Sequence, residues 1–423
     1  MRKFVLYVLL LLPSLCLAAT GFVKTDGARF VRDGKPYYFI GTNYWYAPIL
    51  ASQGQGGNRP RLKRELDELS RLGVKNLRIL VGAERGSANV TSLSPLLQPE
   101  PGVLNDTLLD GLDYLLREME RRDMVGVFYL TNSWDWSGGY GFYLRECGKG
   151  DSPDASGAGW EAYCHYAAQF YTEPHAQNLY QEYVRRIVSR TNRYTGRAYR
   201  DEPAIMAWQL CNEPRPFAPE ASAPMLRWAA GTARLIKSID PNHLVSTGSE
   251  GTVGCMWDET LCKELHACPD IDYMTVHIWP LNWGWASRDA LTESLPAVYE
   301  KAGSYLETNL RIARAIGKPV VVEEFGYSRD ANQYLPGTPT LCRDAFYRFL
   351  FDKVVASRQT GDVLAGCNFW GWGGEGRPSA ERWKPGDDYL SDPPHEPQGW
   401  YCVYNADKTT VRLIRNTAKA LRK

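Results

Sequence analysis

The sequence predicts an α/β protein built as a single (β/α)8 TIM barrel, with an N-terminal hairpin and long loops after its strands. Two observations favour this fold: eight short apolar runs alternate with amphipathic helical patterns, and no internal repeat or low-complexity linker divides the chain. A doubly wound open sheet is the alternative. That fold is expected to carry a glycine-rich phosphate loop after its first strand, and the segment 41–45, Gly-Thr-Asn-Tyr-Trp, is not such a loop.

The predicted elements follow one another in strand–helix order after a hairpin at residues 22–34. The eight strands are placed at residues 37–42, 74–81, 124–131, 204–211, 243–247, 272–277, 319–324 and 363–370. Helical periodicity covers residues 61–72, 108–121, 177–194, 225–239, 306–316 and 345–357. The segment 255–265, in the fifth crossover, is poorly helical by the same criterion.

The first 19 residues predict a secretory signal that precedes a catalytic barrel at residues 20–423. Arg2 and Lys3 stand before an apolar run at 4–12, and small residues follow up to Ala19. A lipoprotein signal is disfavoured, because a small residue is expected where Leu15 stands before Cys16. No later apolar run reaches the 18 or more residues of a membrane span. We therefore expect a secreted protein, extracellular or periplasmic, that has no membrane contact after cleavage.

The charge balance argues against highly charged partners. The chain has 49 Lys and Arg against 48 Asp and Glu, so its formal net charge is +1. No net field would attract nucleic acid or an anionic membrane. The 14 Trp and 25 Tyr are a hint of another kind of ligand, because flat rings with polar tips stack on sugars as well as filling cores. We expect a monomer without a nucleic-acid partner.

The cysteines predict disulfides without fixing their pairing. Ten Cys minus Cys16 of the signal leave nine, an odd number, so at least one thiol stays free. Cys147 with Cys164 would join one long loop, and the cluster 255/262/268 another. Cys211 and Cys367 lie in strand-like runs and are expected to be buried, inert thiols. No CxxC or HExxH spacing accompanies the six histidines, so we expect neither a metal nor another cofactor.

Carboxylates stand at two predicted strand ends, where the catalytic groups of such barrels lie. Glu213 follows the fourth strand in Asn-Glu-Pro, and Glu323 and Glu324 close the seventh. Neighbouring residues on a strand point to opposite sides, so we expect Glu324 to face the barrel mouth and Glu323 to be a solvated loop acid. Glu213 and Glu324 would form the apparatus for acetal hydrolysis, in which one carboxyl protonates the leaving oxygen and the other attacks or activates water.

Other strand-end residues support this interpretation. Arg78 lies in the run Leu-Arg-Ile-Leu, and a buried guanidinium needs an acid, so it could hold a nucleophilic carboxylate ionised, although a structural ion pair is the alternative. A lone histidine or tryptophan is more often structural, whereas several at one rim suggest a sugar-stacking platform. The further candidates are Asn212, His277, Trp279, Trp370, Trp134, Asn132 and Trp45.

These motifs resemble glycoside hydrolase family 5. The resemblance rests on Leu-Arg-Ile-Leu, Asn-Glu-Pro, His-Ile-Trp-Pro, Glu-Glu-Phe-Gly and Asn-Phe-Trp-Gly, in order between residues 21 and 410. Longer motifs at 131–139, 277–283, 368–375 and 397–401 are similar to the endo-β-1,4-mannanase subgroup. The resemblance implies a retaining (β/α)8 enzyme with the following roles: acid/base Glu213, nucleophile Glu324, 2-hydroxyl binding by Asn212, support of Glu324 by Arg78, orientation by His277 and a subsite floor at Trp370. Trp279 departs from the family, in which many members have Tyr whose hydroxyl contacts the nucleophile; an indole N–H can donate similarly.

The predicted function is therefore endo-acting hydrolysis of β-1,4-mannosidic bonds in mannan, glucomannan or galactomannan with net retention. A cellulase or exo-mannosidase of the same family remains an alternative, because loop shape decides between them. A non-catalytic carbohydrate-binding barrel is disfavoured, since a binder gains nothing from burying Glu213, Glu324, Arg78 and Asn212. Branch tolerance, pH optimum and disulfide pairing are left open by the sequence.

Overall fold

The computed structural model describes residues 21–88, 91–156 and 159–422, so the predicted signal lies outside the described residues. The predicted hairpin is present as three short antiparallel strands, β1 (Lys24–Asp26), β2 (Arg29–Arg32) and β3 (Lys35–Pro36). It packs against the amino-terminal end of the barrel, where Val23 and Phe30 join a buried cluster and the rings of Phe30 and Tyr273 lie 5.2 Å apart.

Eight buried parallel strands form the barrel. They are β4 (Phe39–Asn43), β5 (Asn76–Leu80), β6 (Val125–Tyr129), β7 (Ile205–Gln209), β8 (Leu244–Ser246), β9 (Met274–Ile278), β10 (Val320–Phe325) and β11 (Leu364–Phe369). The hydrogen-bonded order is β8-β7-β6-β5-β4-β11-β10-β9, and a parallel bridge between Ser246 and Tyr273 joins its two ends. The predicted barrel and all eight predicted strands are confirmed.

Eleven helices of the described residues surround and connect these strands. They are α1 (Ala47–Ala51), α2 (Arg59–Leu72), α3 (Asp106–Glu120), α4 (Gly139–Glu146), α5 (Trp160–Ala168), α6 (Pro174–Val188), α7 (Ser222–Ile239), α8 (Glu259–Ala267), α9 (Leu291–Ile316), α10 (Leu341–Thr360) and α11 (Lys408–Ala420). None of these helices is both long and apolar enough to cross a lipid bilayer.

The prediction of a poorly helical fifth crossover is wrong, because α8 occupies most of it. Asp258 caps this helix by accepting hydrogen bonds from the backbone N–H groups of Thr260 and Leu261. Leu261 and Leu265, four residues apart, then bury one face of the helix against the barrel. The apolar face of α8 is too short to produce a clear helical periodicity in the sequence. The Asp258 cap is the feature that would have indicated where the helix begins.

The nine cysteines of the described chain are all unpaired. The structure therefore gives no support to disulfides at Cys147 and Cys164 or within the 255/262/268 cluster. Cys211 and Cys367 are buried, as predicted, and burial raises the pKa of both thiols well above its ordinary value. Such thiols are poor nucleophiles.

One long segment closes the barrel mouth beside β4 and β5. The last barrel strand is followed by β12 (Trp372–Gly374), by the segment 375–402, which we call the covering segment, and by β13 (Val403–Tyr404). The indole N–H of Trp45 donates to the Ser391 carbonyl at 2.6 Å, and the Tyr389 hydroxyl donates to the Ser94 carbonyl. The covering segment is thus hydrogen-bonded to the segments that follow β4 and β5.

Glu84, in the segment after β5, holds the loop between β6 and α4. This buried carboxylate accepts hydrogen bonds from the hydroxyls of Thr131 and Tyr143, both at 2.9 Å, and from the Gly139 N–H at 3.1 Å. Gly139 has a φ of 54°, and a Cβ there would lie 2.2 Å from the Asn132 carbonyl oxygen, so the close approach requires glycine. Glu84 therefore fixes both ends of the 131–139 loop.

We predict that Glu84 makes the stability of the protein depend on pH. Burial raises its pKa to about 7, even though the three donors favour the ionised form. Because the folded state binds this proton more tightly than the unfolded state, its stabilising contribution is complete below about pH 4.5 and is lost as the pH rises to about 7. As the pH rises from about 4.5 to above 7, the unfolding free energy of the wild type should fall by up to about 3 kcal/mol relative to that of Glu84→Gln.

Urea unfolding of both proteins at pH 4.5, 6 and 8 would measure this difference. Glu307→Gln is the matched control, since it makes the same change on an exposed side chain. A wild-type-minus-Glu84→Gln difference that does not change with pH would contradict the raised pKa.

Candidate active site

The strand ends that the sequence singled out meet around one cavity of about 780 Å³. Its wall is formed at the carboxyl ends of the barrel strands, as expected for this fold. The predicted site residues that line the cavity are Trp134, Asn212, Glu213, Trp279, Glu324 and Trp370. Acids, an amide and indoles therefore face the same space.

Glu213 lies just beyond β7 in a left-handed conformation, with a φ of 50°. Side chains other than glycine rarely adopt this conformation, and the surroundings hold it here. The Ser133 hydroxyl donates to its carbonyl at 2.7 Å, and its own N–H donates to the Gly248 carbonyl at 2.9 Å. The Trp134 indole N–H donates to Glu213 Oε2 at 2.6 Å, and His277 Nδ1 lies 2.7 Å from Glu213 Oε1. The carboxyl is fixed at both oxygens.

Glu324 lies on β10, on the other side of the cavity. Arg78 donates to its Oε1, and the Trp279 indole N–H donates to its Oε2 at 3.2 Å. The Trp279 indole thus donates to the nucleophile candidate from the position at which many family members have a tyrosine hydroxyl. One carboxylate oxygen of Glu324 lies within 4.8 Å of one of Glu213, so the two groups can act on the same bond.

The two carboxyls influence each other's ionisation. Burial raises the pKa of both groups, and the negative charge of Glu213 adds to the rise at Glu324. Two like charges this close do not both ionise readily. Arg78 contacts Glu324 directly. Arg215 is the cation that most lowers the pKa of Glu213, but its guanidinium is paired with Glu250. Arg78 therefore opposes the rise in pKa at Glu324 by direct contact, and the charges of Arg215 and Arg78 oppose it at Glu213.

Glu323 is buried inside the barrel, and the prediction of a solvated loop acid is wrong. The pairing of β10 with β9 shifts between Val322 and Glu324, which pair with Val276 and His277. The extra residue forms a bulge, which breaks the alternation of side chains, so both acids point inward. Glu323 accepts hydrogen bonds from Gln209 at 2.6 Å and Tyr273 at 3.1 Å, and burial raises its pKa.

Arg78 connects the strand ends below the cavity. Its buried guanidinium donates to Gln209 at 2.9 Å, to Asn43 at 3.1 Å and to Asn212 at 2.7 Å, besides the contact with Glu324. Glu323 lies 3.5 Å from the same group. The guanidinium is therefore satisfied by acids and amides from several strands, as the sequence analysis required of a buried arginine.

His277 lies between the two catalytic carboxyls. Its Nδ1 is 2.7 Å from Glu213 and 3.4 Å from Glu324, and burial lowers its pKa well below the ordinary value, so the ring is neutral. Within the described chain, Glu213, His277 and Glu324 also form the group whose atoms have the spacing of metal ligands. Hydrogen bonds from His277, Trp134, Trp279 and Arg78 already engage these carboxylate oxygens.

Two predicted residues support the site from behind its wall. Asn132 accepts a hydrogen bond from Asn212 at 3.1 Å and donates to Ser137 at 3.0 Å. Trp45 is buried and bonded to Ser391 in the covering segment. Neither side chain lines the cavity, so their contribution is to hold Asn212 and the covering segment in place.

The sequence analysis missed several cavity residues. Arg215 and Glu250 form a two-hydrogen-bond ion pair at 2.5 and 2.6 Å. Glu250 follows β8, so the strand-end criterion would have found it. Glu396 and Tyr401 come from the covering segment, and burial, with help from nearby acids, raises the pKa of Glu396 to about 8. No periodic signal marks such a long loop.

The arrangement provides two carboxyls on opposite sides of a space lined by indoles. Trp370 and Trp279 meet edge to face at 5.9 Å in its wall. A proton donor, a nucleophile and flat apolar surfaces are the groups that cleavage of a glycosidic bond requires.

Comparison with known proteins agrees with this chemistry. The sequence model of the family described as GH family 5 beta-mannosidase-like matches residues 20–423. A mannan endo-1,4-beta-mannosidase 1 of Oryza sativa subsp. japonica is 29% identical over 420 residues, which cover 95% of this chain and 86% of that protein.

Solved structures agree as well. A glycoside hydrolase family 5 mannosidase from Rhizomucor miehei has a TM-score of 0.87 and 35% identity, with 95% of this chain and 98% of that chain covered. An endo-beta-1,4-mannanase from Thermotoga petrophila has a TM-score of 0.67 and 26% identity, with 92% and 78% covered. The chain belongs to glycoside hydrolase family 5, in its β-mannosidase-like group, and is a glycoside hydrolase.

Proposed function

We propose that the protein hydrolyses β-1,4-mannosidic bonds of mannan, glucomannan or galactomannan with net retention of configuration. The names of its relatives support the substrate, since curated relatives are called mannan endo-1,4-beta-mannosidases and one solved neighbour binds mannosyl-fructose. One observation carries the mechanism: carboxylate oxygens of Glu213 and Glu324 lie within 4.8 Å of each other. Retaining enzymes hold these groups about 5–5.5 Å apart, and inverting enzymes keep them about 6.5–9.5 Å apart.

In the first step, Glu324 attacks the anomeric carbon and Glu213 protonates the leaving oxygen. Arg78 and Trp279 keep Glu324 ionised and oriented, and Trp134 and His277 orient Glu213. In the second step, the ionised Glu213 removes a proton from water, which displaces Glu324 from the sugar. Asn212 lines the cavity and has an amide hydrogen beyond the one it gives to Asn132, which suits it to bind the 2-hydroxyl.

Internal cleavage is the leading mode, in line with the endo-acting relatives. Release of short products from a chain end is the second candidate, and one observation favours it. The covering segment is bonded to the segments after β4 and β5, and among the described residues that line the cavity none comes from those two segments. A cavity closed on that side would limit the number of sugars on one side of the scissile bond.

We also propose that the protein is exported by the predicted signal and acts outside the cytoplasm. The support is the sequence pattern of residues 1–19. The amino-terminal sequence of protein recovered from the medium or periplasm would begin near residue 20, and an uncleaved terminus would contradict the proposal.

We predict that β-mannan is cleaved far faster than carboxymethylcellulose or xylan and that a range of oligosaccharides forms early. The reason is the row of indoles in the cavity wall, which suits an extended sugar chain. Reducing-sugar release on the three polymers, with chromatography of early products, is the measurement.

Mannohexaose reduced at one end separates the two modes of cleavage. Internal attack yields several reduced fragments at once, whereas mannose or mannobiose as the sole early product identifies the end-acting mode. Equal rates on mannan and carboxymethylcellulose would contradict the proposed substrate.

We predict that the two carboxyls have separable roles. Glu324→Ala should abolish turnover even of an aryl mannoside with a good leaving group, because no covalent intermediate can form. Glu213→Ala should still release the first equivalent of aryl alcohol quickly and then stall, because little protonation is needed in the first step and no base activates water in the second. Stopped-flow absorbance would record this burst, and azide should accelerate the slow phase.

Labelling locates the nucleophile independently. A 2-fluoromannosyl inhibitor should modify Glu324 in the wild type, as found by peptide mass spectrometry. Glu323→Gln is the matched control, because it alters the adjacent carboxyl and keeps Glu324, so it should still be labelled. Label on Glu323, or a product of inverted configuration, would overturn the mechanism.

A further inference from the structure

A second concave site lies beside the catalytic cavity and has no role in the mechanism above. It has a volume of about 480 Å³. It lies between the segment that joins β8 to α8 and the middle turns of α9, with Trp285 from the segment after β9. The segment between β8 and α8 and the segment with Trp285 each follow the carboxyl end of a barrel strand. The second site therefore opens near the same face of the barrel as the catalytic cavity.

The second site is built from aromatic side chains. Trp257 has 61% of its surface exposed, the most of any described tryptophan. Met256 and Trp257 both have positive φ angles, 55° and 65°, which side chains seldom adopt, so the fold holds this indole in water at a conformational cost. The Tyr305 ring lies 5.8 Å from Trp257 and 5.9 Å from Trp285. An exposed indole beside two further rings is a surface suited to stacking.

Polar groups of both signs surround these rings. Glu300 and Lys301 lie exposed on α9 together with the Ser304 hydroxyl, and among the described residues no ion pair engages either charge. Glu259 also lines the site and is paired with Arg311, and Thr252 and Thr308 add further hydroxyls. A rim with two acids, one base and several hydroxyls favours neither a polyanion nor a polycation. It offers donors and acceptors to a neutral, hydroxyl-rich ligand.

An aromatic wall connects the second site with the catalytic cavity. Trp283 lines the catalytic cavity, and its ring lies 4.9 Å from Trp285 and 5.3 Å from Tyr305, which line the second site. Through Tyr305, which also contacts Trp257, these rings form one connected set that reaches from the catalytic cavity to the second site. The connected rings, together with the aromatic side chains and the polar groups of both signs that line the site, favour a sugar chain as its ligand.

We propose that Trp257, Trp285 and Tyr305 form a second binding site for a neutral β-linked polysaccharide, which holds a part of the chain outside the catalytic cavity. The identity of that polysaccharide as a β-1,4-mannan rests on the proposed function. The site increases retention on polymer without contacting the reacting bond.

Native electrophoresis in gels that contain soluble glucomannan, hydroxyethylcellulose or xylan tests this site without any need for turnover. All proteins carry Glu324→Ala, so that the gel is not degraded. Adding Trp257→Ala should weaken the apparent affinity for glucomannan roughly three- to tenfold, the effect of one lost stacking contact. Trp257→Phe should restore most of it. Tyr305 is kept, because its hydroxyl donates to the Glu250 carbonyl beside the cavity.

Two further variants make the test specific. Leu341→Ala, which removes a side chain that is 72% exposed elsewhere on the surface, should leave retardation unchanged. Ser304→Trp should obstruct the site without removing any aromatic group and should weaken binding as Trp257→Ala does, which keeps the test informative if either variant folds poorly. Retardation by glucomannan that is unaffected in both variants would overturn the proposal.

The remaining outcomes separate this site from the proposed function. Trp257-dependent retardation by hydroxyethylcellulose or xylan instead of glucomannan would overturn the assignment of mannan to this site. A wild type that fails to cleave mannan would overturn the proposed function, whereas Trp257-dependent retardation by glucomannan in the Glu324→Ala background would still support the second site.

Discussion

The buried charge of Arg78 is the constraint on which the active site depends. A guanidinium without solvent must be surrounded by acids and acceptors, and the barrel supplies them from β4, β7 and β10. The same contacts place Asn212 and Glu324 at the cavity. Catalytic geometry and burial of the guanidinium therefore depend on one hydrogen-bond network, in which Glu323 and Glu324 both lie beside Arg78.

The division of labour between the two glutamates follows from what each one touches. Glu324 contacts a cation, and Glu213 contacts a neutral imidazole and an indole. Burial penalises the charged form of both, and the direct contact with Arg78 offsets this penalty at Glu324. His277 can serve both carboxyls because its own lowered pKa keeps it from adding a charge.

The sequence sufficed for the barrel, the strand-end glutamates and Arg78, because period-two and period-3.6 patterns and strand termini leave a local signal. It failed where the outcome depended on local irregularity or distant packing. The bulge at Glu323 reverses an expectation based on strict alternation, and the cap of α8 compensates for a weak helical stripe. The contact between Trp45 and the covering segment could not be predicted from the sequence, because local sequence patterns carry no information on contacts between residues so far apart in the chain.

The hydrogen bond from Trp45 to Ser391 spans 346 positions of the chain. A ribosome that has released only about the first four fifths of the polypeptide has already delivered Glu213 and Glu324, but not the segment that forms one wall of their cavity. The acids and the water-excluding surface around them thus become available at different times during synthesis. A chain truncated before Ser391 would keep its acidic pair and lose the boundary that confines a substrate.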